Sequence, residues 1–421
     1  MRRIRPFLFW IHLTAGIACG AVILVMSVTG ALLALKPQIL DWIERDARYV
    51  QAQSSPRLMP NEIAAAVRAA RADAAPASLT IDRDPNAAAV VNLGAGGNVY
   101  VDPYSGAVRG GGSTRANQFF QQVTAWHRYL GAEGNARATG RMLTGISNLA
   151  FLLLAVTGLF VWWPRSLTLQ HLRPIVWFRS TSGRARDFNW HNTIGFWCLA
   201  PIVVMTASGA VISFPWASNL VYRVTGSPVP APRGAAEAGN RRAPVDRRSP
   251  ANRSETAERR AAVENSAAGR DVARHAAGLL ALDAALAQVD QRIPTWSVVG
   301  MRFTVPGAPI NMTITDGAHW NRFARSTLTV DGRTAQVINW QPYGSSSAGQ
   351  KLRGWLRFAH TGELGGLPGQ LVAGIGCLGG VLLVYTGLAL ALRRFWRWCV
   401  RLREGLIPGA ATEENLQAEA P

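Results

Sequence analysis

The stretch Trp190-His191-Asn192-Thr193-Ile194-Gly195-Phe196-Trp197-Cys198 opens an apolar run that closes at Phe214-Pro215-Trp216. Such a run is long enough to cross a hydrocarbon core, which takes about 20 apolar residues. It also occurs nearly twice. His12 is followed by Gly16, Cys19 and Thr29-Gly30, and His191 by Gly195, Cys198 and Ser208-Gly209. The offsets from the histidine agree: four to glycine, seven to cysteine, seventeen to a hydroxyl residue and eighteen to a second glycine. A histidine at the mouth of an apolar helix, with a small residue one turn below on the same face, suits a flat metal-bearing ring.

Four stretches of the 421-residue chain are nearly free of charge: 7–35, 142–163, 192–216 and 367–392. They predict four membrane spans, so the lipid bilayer is the first partner. The apolar run near the N-terminus exceeds the 7–15 residues of a signal-peptide core and reads as a retained anchor. Net charge is +19, from 44 Lys+Arg against 25 Asp+Glu. Its placement argues against nucleic acid. Arg2, Arg3 and Arg5 precede the first span, Arg165 to Arg186 fill the short middle loop, and Arg393 to Arg403 follow the last span. Arg-rich short flanks lie on the cytoplasmic side. Both termini and the middle loop are therefore expected inside, and the two long polar segments outside.

Read in order, the chain predicts a first span over 1–36, an outer module over 37–118 and an interfacial segment over 119–140. A second span follows over 141–164, a cytoplasmic loop over 165–189 and a third span over 190–217. Residues 227–274 are rich in Ala, Arg, Pro, Gly and Glu, with few residues that could build a core, and read as a disordered insertion. A second outer module covers 275–350, an interfacial segment and fourth span 351–394, and a cytoplasmic tail 395–421. Each outer module reads as one helix followed by short strands, an α+β pattern. In the first, Asn61 is the expected helix N-cap. Cys19, Cys198, Cys377 and Cys399 lie in or beside spans, form no C-x-x-C and read as packing residues.

Topology sorts the histidines. His12 and His191 fall at the inner face, His127 and His360 at or near the outer face, giving two pairs that each draw one member from each half of the chain. Imidazole is a good axial ligand for haem iron, so the pairs predict two haems. Gly16 and Gly195 would leave room for the rings, Gly365 and Gly366 would do the same for His360, and Arg5, Arg186, Arg128 and Arg357 lie near for the propionates. Two ligands are too few for zinc or copper, although Glu363 could join His360. His171, His275 and His319 lie outside the pattern. No dinucleotide fingerprint, P-loop or nucleophile elbow is present. The middle loop is too short for a reductase domain, so a separate cytoplasmic or quinol electron donor is implied. Each span also carries a hydroxyl–glycine pair: Thr29-Gly30, Thr157-Gly158, Ser208-Gly209 and Thr386-Gly387. Close helix packing explains these at least as well as a cofactor does.

Trp126-His127-Arg128-Tyr129-Leu130, Thr157-Gly158-Leu159-Phe160-Val161-Trp162-Trp163-Pro164, Trp190 to Trp197 and His360-Thr361-Gly362-Glu363 together resemble the PepSY-associated transmembrane helix proteins, also called iron-regulated membrane proteins. Val101-Asp102-Pro103-Tyr104-Ser105-Gly106 resembles the PepSY module itself. The looser Val330-Asp331-Gly332-Arg333-Thr334 lacks the glycine after its hydroxyl residue. The resemblance implies a membrane α-helical fold, a four-helix bundle with two pseudo-duplicated periplasmic α+β PepSY-like modules, in the bacterial inner membrane. It also implies b-type haem on His12, His127, His191 and His360, and reduction of iron held by a siderophore or similar chelate, as an oxidoreductase. The alternatives are a non-redox PepSY protein that binds or regulates a periplasmic partner, and an accessory to a siderophore importer.

Overall fold

A computed structural model describes residues 4–71, 76–163, 168–230, 281–302, 307–317 and 323–406. The expected disordered insertion falls almost wholly outside these residues, as do His275 and His319. The chain divides into two compact units, one made of Met1–Lys36, Phe120–Ser218 and Leu356–Pro421, the other of Pro37–Phe119 and Asn219–Trp355.

The first unit is helical. Its four long helices are α1 (Ile4–Ala34), α5 (Ala136–Trp162), α7 (Gly183–Ser213) and α11 (Gly366–Leu406). All four are long and apolar enough to cross a membrane. Their apolar side chains point outward: Phe7, Ile17, Leu153, Phe160, Val204 and Ile375 are exposed. The bundle interior is instead rich in small and polar residues, with Ser27, Thr144, Ser147, Asn148, Thr157, Thr193, Thr206, Ser208 and Thr386 buried beside a few aliphatics, Ile23, Ile194 and Ile202. This inversion is expected where lipid replaces water, because small residues let helices close up and hydroxyls bond locally. α1 packs on α5 and α11, and α7 packs on α5 and α11, so α1 and α7 sit on a diagonal. α5 begins at Ala136 and α7 at Gly183, several residues ahead of the spans read from the sequence.

The second unit holds α2 (Lys36–Arg48), α3 (Pro60–Ala70), a helix α9 over 281–292 and eight strands. β1 (Ser78–Asp82), β2 (Ala89–Asn92), β3 (Asn98–Val101) and β4 (Val108–Gly111) come from the first segment. β5 (Trp296–Arg302), β6 (Ile310–Asp316), β7 (Arg325–Val330) and β8 (Val337–Gln341) come from the second. The sequence predicts two separate modules, and here the structure differs. All eight strands form one antiparallel sheet in the order β4-β3-β2-β1-β5-β6-β7-β8. The join is β1 with β5, in register from Ser78↔Arg302 to Asp82↔Val298. The pairing removes one open edge from each segment, and open edges invite aggregation. One core serves both segments. Ile63 and Val67 of α3, with Leu282, Ala285 and Val289 of α9, pack on Leu79, Val91, Val299, Met301, Met312 and Ile314. Asn61 is not the N-cap of α3. That position is Met59, whose N–H is taken by Glu62 at 2.7 Å, while Asn61 bonds twice to Asp283 of α9, at 2.9 and 2.7 Å.

Both strand pairs turn on an aspartate. Asp102 accepts from the N–H groups of Tyr104 and Ser105, and Asp331 from those of Arg333 and Thr334. After the first turn Gly106 takes φ 73°, and Ala335 takes φ 53° after the second, so the missing glycine is replaced by a strained alanine rather than a different turn.

Glu44 of α2 is a buried charge of this unit, its side chain 4% exposed. It accepts from Tyr100 Oη at 2.7 Å, Arg48 Nη2 at 3.0 Å, Ser113 N–H at 2.8 Å and Asn117 Nδ2 at 3.1 Å. Burial alone would raise its carboxyl, but the bonds from Tyr100, Arg48 and Ser113, with the Arg48 charge, outweigh it and hold the group below its ordinary value. The stabilisation is therefore complete above the ordinary carboxylate range and lost as pH falls through the depressed native value. Glu44→Ala should cost about 3 kcal/mol by stranding buried donors. Hydrogen exchange of the sheet amides checks this: protection should drop in the variant at pH 7, and the gap to wild type should close in acid.

Candidate functional site

Four of the described histidines are fastened to the long helices in the same way. His12, on α1, has Nδ1 at 3.0 Å from Thr157 Oγ1 of α5. His191, on α7, has Nδ1 at 2.9 Å from Thr386 Oγ1 of α11. His127 lies on α4 (Thr114–Tyr129), with Nδ1 at 3.0 Å from Thr29 Oγ1 of α1. His360 ends α10 (Ala348–His360), with Nδ1 at 3.2 Å from Ser208 Oγ of α7 and 2.8 Å from the Met205 carbonyl. The partners are the four hydroxyl residues of the hydroxyl–glycine pairs. The glycines complete the seat. A Cβ on Gly158 would stand 3.3 Å from His12 Cε1, and one on Gly387 at 3.3 Å from His191 Cε1. The corresponding values are 3.4 Å from Gly30 to His127 and 3.2 Å from Gly209 to His360. From the sequence, helix packing explains these pairs at least as well as a cofactor does, and neither explanation names them as partners of the histidines. Four hydroxyl–glycine pairs matched to four interfacial histidines was the signal that could have found them.

Every hydroxyl bond lies within one half of the chain, whereas the rings meet across halves. His12 and His191 have centroids 6.3 Å apart and planes at 82°. His127 and His360 have centroids 6.4 Å apart and planes at 60°. His12 and Thr29 are seventeen residues apart on α1, so at ~1.5 Å per residue the two pairs lie about 25 Å apart along the bundle.

The second pair sits on helix ends rather than on spans, and close backbone contacts hold those ends. After α4 the chain turns through Leu130 (φ 54°) and Gly131 (φ 74°). α5 then lies against the turn: a Cβ on Gly140 would fall 2.1 Å from the Tyr129 carbonyl oxygen, and Thr144 Oγ1 donates to the Arg128 carbonyl at 3.0 Å. In the other half Gly362 (φ 75°) follows α10, and a Cβ on Gly369 of α11 would fall 2.3 Å from its carbonyl oxygen. This accounts for a histidine fifteen residues ahead of its expected span reaching the bundle. The second pair also has more polar and softer surroundings. Asn148, buried and bonded to the Thr206 carbonyl, touches the Gly209 position, and Cys377 Sγ touches the Gly30 position and lies 3.9 Å from Met205 Sδ.

The other residues expected at the site fall as follows. Gly16 and Gly195 lie one turn from His12 and His191, but a Cβ at either would meet only a leucine, Leu154 at 3.8 Å and Leu383 at 3.7 Å. Gly365 and Gly366 would touch nothing within 4 Å, and the glycine seated against His360 is Gly209. Arg5 donates to the Trp163 carbonyl, and Arg128 and Arg357 stack on Tyr129 and Phe358. Arg186 pairs at 3.0 Å with the buried Asp187, which also takes Arg393 at 2.8 Å. Among the described residues no group of three or more His, Cys, Asp or Glu converges, so neither pair gains a carboxylate or thiolate ligand. His171 lies on α6 (Leu169–Val176), away from both pairs in sequence.

Four long apolar helices around paired histidines, with an antiparallel sheet unit, define a multi-pass membrane protein with an α+β part. The chain belongs to the PepSY-associated TM region family, whose model matches residues 9–394. No curated protein matches it.

If α5 positions the end of α4 by backbone contact, Gly140→Val should destabilise the protein by about 1–3 kcal/mol. Gly374→Ala, where a Cβ meets nothing within 4 Å, should be neutral. Thermal unfolding in detergent compares the two; equal melting temperatures would refute the contact.

Proposed function

We propose that the protein is a transmembrane electron carrier with two b-type haems, one held by His12 and His191 and the other by His127 and His360. The observation that carries the reading is the ring spacing. Two metal–imidazole bonds of ~2.0–2.1 Å laid end to end, plus roughly 1 Å from each nitrogen to its ring centre, put centroids about 6 Å apart. The centroids stand 6.3 and 6.4 Å apart. The donor set fits as well. Two nitrogens are too few for a bare zinc or copper ion but fill both axial positions of a porphyrin-bound iron. When bound, such an iron supplies one-electron chemistry between its ferric and ferrous states.

In this reading the chain's residues bind and orient. The histidines supply the axial nitrogens, and the bundle, polar inside and apolar outside, keeps the two sites about 25 Å apart across the bilayer. His12 and His191 face the side that the Arg-rich flanks mark as cytoplasmic, where a cytoplasmic protein or a quinol is the donor. His127 and His360 face the opposite, periplasmic side of a bacterial inner membrane. The acceptor there is a ferric siderophore or similar chelate, an anionic ligand that the basic chain attracts. Reduction loosens the chelate, because Fe(II) binds hard oxygen ligands less tightly than Fe(III).

Purified protein from cells supplied with haem should show a Soret band and dithionite-reduced α and β bands. His191→Ala should lose about half the haem and keep the second site. A chromophore-free wild type would falsify the reading and leave a non-redox role in binding a periplasmic partner. Loss of both haems or of neither in the variant would overturn the pairing.

A further inference from the structure

We propose that Thr29, Thr157, Ser208 and Thr386 are positioning residues that hold each paired histidine in the Nδ1–H tautomer and so keep the metal-binding lone pair on Nε2. What that lone pair binds rests on the haem reading; the tautomer does not.

A hydroxyl has one hydrogen to give. In all four residues the carbonyl four positions back stands closest to the hydroxyl: Val25 at 2.6 Å, Leu153 at 2.7 Å, Val204 at 2.6 Å and Leu382 at 2.7 Å. This back-bonding is a standard local partner for a hydroxyl in a helix. The hydrogen being spent there, the oxygen meets the imidazole as an acceptor, and Nδ1 must be the donor. A second contact agrees. His360 Nδ1 lies 2.8 Å from the Met205 carbonyl, which can only accept. Met205 lies three residues before Ser208, so a single helical surface offers the His360 ring two acceptors.

His360 differs. Among the described residues the hydrogen bonds of the His12, His127 and His191 rings run to the hydroxyl alone, whereas His360 also reaches the Met205 carbonyl. The four sites should therefore not respond alike. Removing the hydroxyl leaves His360 with Met205 and takes from each of the other three rings the acceptor it has. The adjacent glycines make the arrangement steric as well as polar, since the absence of a Cβ at Gly158 and Gly387 lets the Cε1 edge close on the hydroxyl helix. A group that orients a metal-binding histidine in this way usually changes metal affinity by ~10–100-fold when removed.

The test uses full-length protein labelled with 15N-histidine, prepared from haem-limited cells and reconstituted in bilayers, with tautomers read from long-range 15N–1H correlations. Wild type should show Nδ1–H at all four rings. Thr157→Val should bring Nε2–H signal into one ring, assigned to His12 by its loss in His12→Ala. Thr157→Ser should restore the wild-type pattern, and Ser208→Ala, which leaves His360 its Met205 carbonyl, should keep it. Nε2–H at any of the four in wild type, or an unchanged His12 signal in Thr157→Val, overturns the proposal. In a second arm haem is loaded and challenged with apomyoglobin. Thr157→Val should give up one haem about 10–100-fold more readily than wild type, while Thr157→Ser holds it; equal retention in the valine variant overturns the positioning role. A wild type that takes up no haem would count against the haem reading alone, since the tautomer measurement still decides this one.

Discussion

The bundle depends on one interaction repeated four times: an imidazole bonded through Nδ1 to a hydroxyl on a neighbouring helix. In a membrane interior no water stands by, so a polar ring without a partner costs several kcal/mol. That cost dictates the rest. The hydroxyl must come from an adjacent helix, the next residue must be glycine so the ring can approach, and the helices must cross closely enough to present both. α1 with α5 and α7 with α11 meet this demand at one end. At the other, α4 and α10 are turned back against α1 and α7 by the Gly140 and Gly362–Gly369 contacts. The exposed apolar surface of the spans is the complement of this arrangement, since polar and small residues are drawn inward and lipid-facing positions are left to leucine, isoleucine and phenylalanine.

The sheet unit obeys the opposite solvent rule. Here the core is aliphatic, with Leu79, Val91, Val299, Met301, Met312 and Ile314 beneath two helices, and alternation along β6 puts Ile310, Met312 and Ile314 inward while Asn311 and Thr313 face out. Each four-stranded segment by itself would leave an open edge at its first strand. Their fusion at β1 and β5 solves that for both at once. The same chain thus holds two interiors of opposite character, each set by whether lipid or water surrounds it.

Much of this was readable beforehand. Four uncharged runs announced four long helices, and each outer segment does carry the helix and short strands expected of it. β4 and β8 escaped notice, because Val108-Arg109-Gly110-Gly111 and Val337-Ile338-Asn339-Trp340-Gln341 lie at the sheet edges, where burial imposes little pattern. Asn61 was misread because a side chain at the second residue of a helix looks the same in sequence whether it caps its own helix or reaches Asp283 more than two hundred residues away.

The sequence by itself determined the four spans, the histidine spacing and the strand periodicity, since these follow from local hydrophobicity and from repeats along one chain. Only the tertiary structure decided that two sheet segments become one, that Gly158, Gly387, Gly30 and Gly209 rather than Gly16 and Gly195 seat the imidazoles, and that Thr29, Thr157, Ser208 and Thr386 hold them. Those facts concern partners far apart in the chain. A threonine that back-bonds to its own helix leaves the same trace in a sequence whether or not a histidine from another helix comes to rest on its remaining lone pair.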